Sequence, residues 1–224
     1  MLILPEELFI LALDGEKGNI PGSLTLQLQY GVSGALLAEL ALMGKIGLDD
    51  KKKLVLLDSS LCGDDLLDRV TTKILHSDRL RKMNHWVKLF GSNSKKTYKE
   101  LGERLVEKGI LKKEPRKYLW VIPSEAFAEK DAPAKYLIKA KLRAVVLTNK
   151  KPEADVLTLL NLVKACNMLD IIFTKDELKM ARKLVDKKIQ EQTISKELAE
   201  TLQEIESAAL AGVFASVPVN FIVI

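Results

Sequence analysis

This 224-residue sequence has few aromatic residues, two cysteines and two histidines. Because aromatic side chains make up only 5% of it, the core must consist mostly of Leu, Ile, Val and Ala, a composition that favours helices. Cys62 and Cys166 are too far apart in the chain to form a metal-binding motif, and His76 and His85 are the only histidines. We therefore expect no metal, no cofactor and two reduced cysteines in a cytoplasmic protein.

The common phosphate-binding and nucleophile-bearing loops are also missing. Gly15 and Gly18 lack the third glycine and the preceding strand of a dinucleotide-binding loop, and no Gly-Lys-Ser/Thr follows them. The run Gly31-Val32-Ser33-Gly34 lacks the second spacer residue of a nucleophile elbow and has no evident histidine partner. The sequence therefore predicts a protein that is not an enzyme.

A cluster of acidic residues at 58–68 has two interpretations. Asp58, Asp64, Asp65 and Asp68 could supply a metal site or a pair of catalytic carboxylates, since Asp64 and Asp68 are one helical turn apart. The structural interpretation is stronger, because Asp64 is placed as the N-cap of a helix and Asp65 as a first-turn charge that complements the helix dipole.

The two ends of the sequence predict neither a signal peptide nor a membrane span. Met1–Glu7 has no basic segment and reaches Glu6 and Glu7 at once, so Pro5 and these acids are typical of the first turn of a helix. The last 18 residues, from Ser207, carry no charge, but Pro218 interrupts them. We expect a buried helix there, followed by a short strand.

The most informative segment is Tyr30–Leu42, in which small and apolar residues occupy nearly every face of a helix and only Glu39 is charged. A helix that is apolar all round is buried at the centre of a protein. Gly31 and Gly34 remove side-chain bulk, so a neighbouring backbone can approach closely. Gly44 and the cation that follows it are typical of a helix end.

No repeat or long linker is present, and we expect one domain over residues 1–224. Besides the helix that follows Asp64, the periodicity predicts helices over 5–13, 24–43, 80–90, 96–108, 134–147, 153–167, 175–192 and 195–215. The predicted fold is mainly α, a single globular helical domain around a buried central helix, with two β-hairpins.

The first predicted hairpin pairs 45–48 with 54–57 across a charged turn. In the second, 110–111 and 118–122 flank the basic run 112–117, which we place at the tip. The second hairpin directly follows a helix that ends on a glycine, an arrangement also typical of a winged helix.

Basic residues are concentrated between positions 95 and 143. The formal net charge of +5 and the isoelectric point near 9.0 allow an anionic partner. Three groups follow one another, and although most charge runs are solvated faces, together they favour an anionic surface or headgroup. The groups are Lys95, Lys96, Lys99, Arg104 and Lys108; Lys112, Lys113, Arg116 and Lys117; and Lys135, Lys139, Lys141 and Arg143.

Four separated segments carry a resemblance to a known family: Pro5–Leu13, Gly31–Leu42, Gly63–Asp68 and Leu105–Leu111. In this order and spacing they resemble the Golgi phosphoprotein 3 family, and 118–122 also matches in position. The resemblance implies a peripheral membrane protein that binds phosphatidylinositol 4-phosphate. The arginine-rich N-terminal tail of eukaryotic members has no counterpart in this sequence, which therefore resembles a prokaryotic-type relative.

The resemblance also implies where a lipid headgroup would bind. The family's tryptophan and three arginines fall on Leu24, Ser33, Lys95 and Tyr98, of which only Lys95 keeps the charge. Lysine does not offer phosphate the planar fork of arginine. With the neighbouring cations, the candidate lipid-binding residues are Leu24, Ser33, Lys95, Tyr98, Lys96 and Lys99.

The predicted function is therefore a non-enzymatic protein, peripherally attached to a membrane, that binds anionic lipid. The alternative is a nucleic-acid-binding winged helix, with 96–108 as recognition helix and 112–117 as the wing. Against it, that helix carries Glu100, Glu103 and Glu107, which phosphates would repel.

The last sequence-based prediction concerns the second hairpin, where apolar residues at 118–122 would occupy both faces of a strand. A two-stranded hairpin cannot bury both faces by itself, so we expect a contact surface, although it could instead fold back on its own helices. In the resembling family this hairpin mediates self-association and approaches the membrane. The candidate residues are Arg116, Lys117, Tyr118, Leu119 and Trp120, with homo-oligomer formation as the implied partnership.

Overall fold

A computed structural model describes residues 1–14, 18–118, 122–130, 133–148, 152–190 and 194–215. Within these ranges the chain is mainly helical, as predicted. The helices are α1 (Leu4–Ala12), α2 (Thr25–Leu42), α3 (Asp65–Leu75), α4 (Met83–Gly91), α5 (Ser94–Glu107), α6 (Pro133–Leu147), α7 (Ala154–Ala165), α8 (Lys175–Gln190) and α9 (Lys196–Ala215), with 3₁₀ turns at Gly22–Leu24 and Leu169–Ile171. The strands are β1 (Ile46–Leu48), β2 (Leu54–Leu56), β3 (Leu111–Tyr118) and β4 (Ile122–Glu129).

Helix α2 is the central helix that its composition predicts. It contacts α1, α4, α7 and α9, and its residues from Gly31 to Ala38 are all buried. A Cβ on Gly31 would lie 2.7 Å from Sγ of Cys166, and one on Gly34 would lie 3.1 Å from Cδ2 of Leu162. The two glycines therefore allow α7 to pack closely against α2, because neither position has room for a larger side chain.

Helix α1 is buried along its whole length, including its two glutamates. Oε2 of Glu6 accepts a hydrogen bond from the backbone N–H of Ile3, and Oε2 of Glu39 accepts one from Leu4. Glu7 pairs with Lys141 of α6 at 3.0 Å. The acids predicted in the first turn of this helix are thus buried groups that satisfy the helix end and tie α1 to its neighbours.

The first hairpin has the predicted position, with Ile46 opposite Leu56 and Leu48 opposite Leu54. Gly44 adopts a positive φ of 71° after α2, and the N–H of Lys45 donates to the carbonyl of Leu40, which ends the helix as predicted. Lys45 is 5% exposed, and its ammonium pairs with Asp58 at 3.1 Å.

The second hairpin is displaced from its predicted position, and the prediction of its tip was wrong. Residues 112–117 lie inside strand β3, and the ladder runs from Leu111 opposite Glu129 to Tyr118 opposite Ile122. Pro115 and the charges around it indicated a turn. However, each strand of a two-stranded ribbon has a free edge, where proline and charged side chains are tolerated.

Helix α3 begins as predicted, with Oδ1 of Asp64 accepting hydrogen bonds from the N–H groups of Leu66 and Leu67. Asp68 accepts hydrogen bonds from the N–H and the thiol of Cys62, which lower the pKa of its carboxyl. Among the described residues, no group of three or more His, Cys, Asp or Glu is arranged to hold a metal ion.

At the C-terminal end, α9 is the predicted helix and packs against α2, α4 and α7. The short strand expected after it falls on 216–224, outside the described residues. None of the described helices is both long and apolar enough to span a membrane.

Candidate anionic-ligand site

Helix α5 carries the predicted lysines and packs into the protein along one face. Leu101 and Leu105 are fully buried on one face. Lys95 and Lys99 are one helical turn apart and therefore lie on the same side, whereas Lys96 is rotated by about 100° from Lys95. All three lysines are exposed.

Lys95, Tyr98 and Lys99 come together in a concavity of about 480 Å³, which we call the Tyr98 pocket. The ring centroids of Tyr98 and Phe9 are 5.8 Å apart. Burial is the main cause that raises the pKa of the Tyr98 phenol above its ordinary value. The pocket is lined by Phe9, Leu13, Gly18, Asn19, Ile20, Lys95, Tyr98, Lys99 and Phe127.

The remaining predicted lipid-binding residues lie elsewhere. Ser33 is 2% exposed, and its hydroxyl donates to the carbonyl of Gln29 at 2.9 Å. Leu24 is half-buried at the end of the 3₁₀ turn before α2 and does not line the Tyr98 pocket. Lys96 lines a different cleft, between α3, α4 and α5. Three of the six predicted residues therefore share one pocket.

The Tyr98 pocket has a positive rim. No carboxylate of the described residues lies within 4 Å of Lys95, while Lys99 is 3.9 Å from Glu103. The ammonium of Lys135 donates to the carbonyl of Leu13, a residue of the pocket wall. Burial lowers the pKa of Lys135, and the nearby Lys139 lowers it further. The pocket therefore offers cationic donors above an apolar base, a combination that suits an anionic group.

Sequence reasoning missed the part of this pocket formed by Gly18, Asn19 and Ile20. Gly18 has a positive φ of 59°, and its carbonyl accepts a hydrogen bond from the N–H of Phe127 at 2.8 Å. A Cβ on Gly18 would lie 2.6 Å from the backbone N of Ala128. The glycine signalled a turn, but no sequence feature shows that the turn packs against β4.

Much of the predicted basic patch is internally neutralised. Arg104 binds Asp64 and Glu6, and Lys108 lies 2.7 Å from Glu6. The two pairs with Glu6 join residues 98 and 102 positions apart, and Arg104 and Asp64 are 40 positions apart, so none of them could be recognised from local sequence. Further pairs are Lys112–Glu114, Lys113–Glu103, Lys141–Glu7 and Arg143–Glu177.

The ion pairs of α5 also bear on the nucleic-acid alternative. Of its acids, Glu100 pairs with Arg69 and Glu103 with Lys113. The arginine of this helix, Arg104, is directed towards Glu6 and Asp64. Arg104 is therefore engaged inside the fold and is not available to a phosphate or a base, which weakens the case for α5 as a recognition helix.

Of the predicted contact residues in the second hairpin, Arg116, Lys117 and Tyr118 belong to β3. Leu119 and Trp120 lie outside the described residues. The base of the hairpin packs onto α5, since a Cβ on Gly102 would lie 2.5 Å from the ring of Phe127. Leu111 and Ala128 are buried beside it.

Residues 4–205 match the sequence model of the Golgi phosphoprotein 3 (GPP34) family. The vacuolar protein sorting-associated protein 74 of Schizosaccharomyces pombe is 28% identical over 175 residues, 69% of this chain and 50% of that protein. Its counterpart in Eremothecium gossypii is 27% identical over 167 residues, 65% of this chain and 49% of that protein. A VPS74-like protein of Dictyostelium discoideum is 29% identical over 126 residues, 50% of this chain and 48% of that protein. The chain spans about half the length of these curated relatives.

Proposed function

The chain belongs to the Golgi phosphoprotein 3 family, and on that premise we propose that it is a non-enzymatic, peripheral membrane protein that binds anionic lipid headgroups. The observation that carries this proposal is the positive rim of the Tyr98 pocket. Lys95 and Lys99 stand one turn apart at its edge, and Lys95 has no carboxylate within 4 Å among the described residues.

The proposed headgroup is phosphatidylinositol 4-phosphate or a similar phosphorylated lipid, as the family resemblance implies. Two lysines hold a phosphate as point charges, without the two-pronged geometry of arginine. We therefore propose that binding depends mainly on the charge of the membrane surface and discriminates modestly between headgroups.

The proposal of a binding protein, rather than an enzyme, is supported by where the titratable groups lie. His76 follows α3 and His85 lies on α4, and neither lines the Tyr98 pocket. The thiol of Cys166 is fully buried, and burial raises its pKa to about 12. None of these groups is placed to act on a ligand held by Lys95 and Lys99.

We further propose that the β3–β4 hairpin mediates self-association and contact with the membrane. Support comes from the length of the ladder, which has eight residue pairs. In the described part of the chain each strand pairs only with the other, so each has a free edge. Light scattering on the protein and on a variant lacking 116–120 tests this proposal. A protein that is monomeric at high concentration would contradict it.

Co-sedimentation with vesicles tests the lipid-binding proposal. At low salt, binding to anionic vesicles should exceed binding to neutral vesicles, and Lys95→Glu/Lys99→Glu should weaken it about tenfold. The matched control is Lys179→Glu/Lys183→Glu, which reverses two exposed lysines with the same spacing on α8. Equal recovery on both kinds of vesicle would refute the proposal. A salt-sensitive shift of random duplex DNA would support the nucleic-acid alternative instead.

A further inference from the structure

A second concavity, larger than the Tyr98 pocket, lies on the other side of α5. We call it the Phe90 cleft; its volume is about 630 Å³, within the range of small-molecule sites. Its floor is apolar, with Leu36, Leu66 and Val70 from α2 and α3 at most 5% exposed. Leu89 and Phe90 of α4 are half-buried and form a wall.

The rim of the Phe90 cleft carries more positive than negative charge. Its residues include Arg69, Lys73 and Lys96 and a single carboxylate, Glu100, which pairs with Arg69. In the described part of the chain, neither Lys73 nor Lys96 has a carboxylate within 4 Å. The pair Arg69–Glu100 bridges α3 and α5 and leaves the two lysines to set the charge of the rim.

The helix ends at the rim favour an anion on the α5 side. Lys96 and Thr97 belong to the first turn of α5, and Asn93, its N-cap residue, makes no side-chain hydrogen bond to the helix amides. On the opposite side, Lys73 lies in the last turn of α3 and compensates the negative end of that dipole.

We propose that the Phe90 cleft binds a small amphipathic anion, a molecule with one apolar chain and one negatively charged head, such as a medium-chain carboxylate. The chain lies over Leu36, Leu66 and Val70 and against the half-buried Leu89 and Phe90, whose remaining apolar surface it removes from water. The head lies between Lys73 and Lys96. An anionic headgroup without a chain would leave the apolar wall of Leu89 and Phe90 hydrated, and a cationic amphiphile would meet like charge on both sides.

The structure supplies a spectroscopic reporter for this site. Trp86 lies beneath Phe90, with the rings stacked at 5.9 Å between centroids and 19° between planes. The indole is 2% exposed, and its N–H has no hydrogen-bond partner in the described structure. A molecule on Phe90 changes the surroundings of this ring. Since the chain has two tryptophans, Trp120→Phe leaves Trp86 as the only source of tryptophan fluorescence.

Titration of the Trp120→Phe protein with dodecanoate, below its critical micelle concentration and at low salt, tests the proposal. We expect a saturable change in Trp86 emission, and binding of dodecyltrimethylammonium at least about fivefold weaker. Reversing both rim lysines, Lys73→Glu/Lys96→Glu, should weaken dodecanoate binding by about tenfold. Lys179→Glu/Lys183→Glu, on exposed positions of α8, should leave it unchanged.

Amide chemical shifts locate the molecule independently of fluorescence. In the same titration the amides of Thr72 and Thr97 should move, while those of Asn19 and Ile20 in the Tyr98 pocket should not. No saturable change, equal affinity for the cationic amphiphile, or shifts centred on the Tyr98 pocket would each overturn the proposal. The vesicle experiment on Lys95 and Lys99 is separate, so either site can fail without the other.

Discussion

The guanidinium of Arg104 meets the carboxylate of Asp64 with both terminal nitrogens, Nη1 lying 3.2 Å from Oδ1 and Nη2 donating to Oδ2. The same carboxylate caps α3. The Nε of Arg104 lies 3.2 Å from Oε1 of Glu6, and Glu6 is fully buried. One side chain of α5 thus joins the first turns of α1 and α3. This network orders the framework that carries the Tyr98 pocket.

Replacing Arg104 with methionine should lower the free energy of unfolding by about 3 kcal/mol, because it leaves Asp64 without its two-pronged partner and Glu6 short of one donor. Arg69→Met is the matched control. Arg69 is half-exposed and pairs with Glu100, so its loss should cost at most about 1 kcal/mol. Urea denaturation of the two variants measures both values. Equal costs would show that the buried network contributes no more than a surface pair.

Gly31→Ala should destabilise the protein, although alanine is the better helix former by about 1 kcal/mol. The new Cβ would lie 2.7 Å from Sγ of Cys166 and 3.0 Å from Cδ2 of Leu8, and overpacking of this kind costs about 1–3 kcal/mol. Gly22→Ala, with no atom within 4 Å of its Cβ, should be close to neutral. Thermal unfolding distinguishes the two variants.

Cys166→Ala should rescue much of the Gly31→Ala defect, because it removes the sulfur that the new methyl group meets. By itself Cys166→Ala leaves a cavity at a fully buried position and should cost stability. The double variant should therefore be more stable than the sum of the single effects, a coupling that a double-mutant cycle measures. Strict additivity would mean that the clash is relieved elsewhere.

Sequence periodicity was sufficient to predict the helices and the central position of α2, because a helix that is apolar on nearly every face is buried at the centre of a protein. Local signals also located the cap at Asp64 and the glycine that follows α5. Of the residues that line the Tyr98 pocket, the sequence predicted only Lys95, Tyr98 and Lys99 as binding residues. The approach of Gly18 to β4 and the pairing of Glu6 with Arg104 depend on contacts between segments 98 or more residues apart, which no local pattern encodes.

Stability should fall as the pH rises from about 4.5 towards 7 because of Glu206. Burial raises the pKa of this carboxyl to about 7 from its ordinary 4.5. The hydrogen bond with Asn161 and the charge of Lys164 lower the pKa, but by less than burial raises it. In this range the folded state binds the proton and the unfolded state releases it, so the free energy of unfolding decreases with pH. The full effect, reached above pH 7, is on the order of 3 kcal/mol.

Glu206→Gln removes the ionisable group and should flatten this part of the stability profile, with a gain at pH 8 and little change at pH 4.5. The buried Oδ1 of Asn161 has no hydrogen-bond donor in the described structure, and both a protonated carboxyl and an amide can supply one. Urea denaturation at pH 4.5, 6 and 8 measures the profile. Parallel profiles for the two proteins would assign the pH dependence to other groups.

Lys95→Arg should strengthen the attachment of the protein to vesicles containing phosphatidylinositol 4-phosphate by about threefold to fivefold. Arginine keeps the charge of the pocket rim and adds the planar fork that matches a phosphate group. The comparison is made with phosphatidylserine vesicles of equal surface charge, where the fork has no phosphomonoester to bind and the gain should vanish. Lys179→Arg, an exposed lysine of α8, serves as control and should change neither value. A gain of equal size on both kinds of vesicle would mean that Lys95 contributes only to a diffuse positive field and that the Tyr98 pocket does not hold the headgroup.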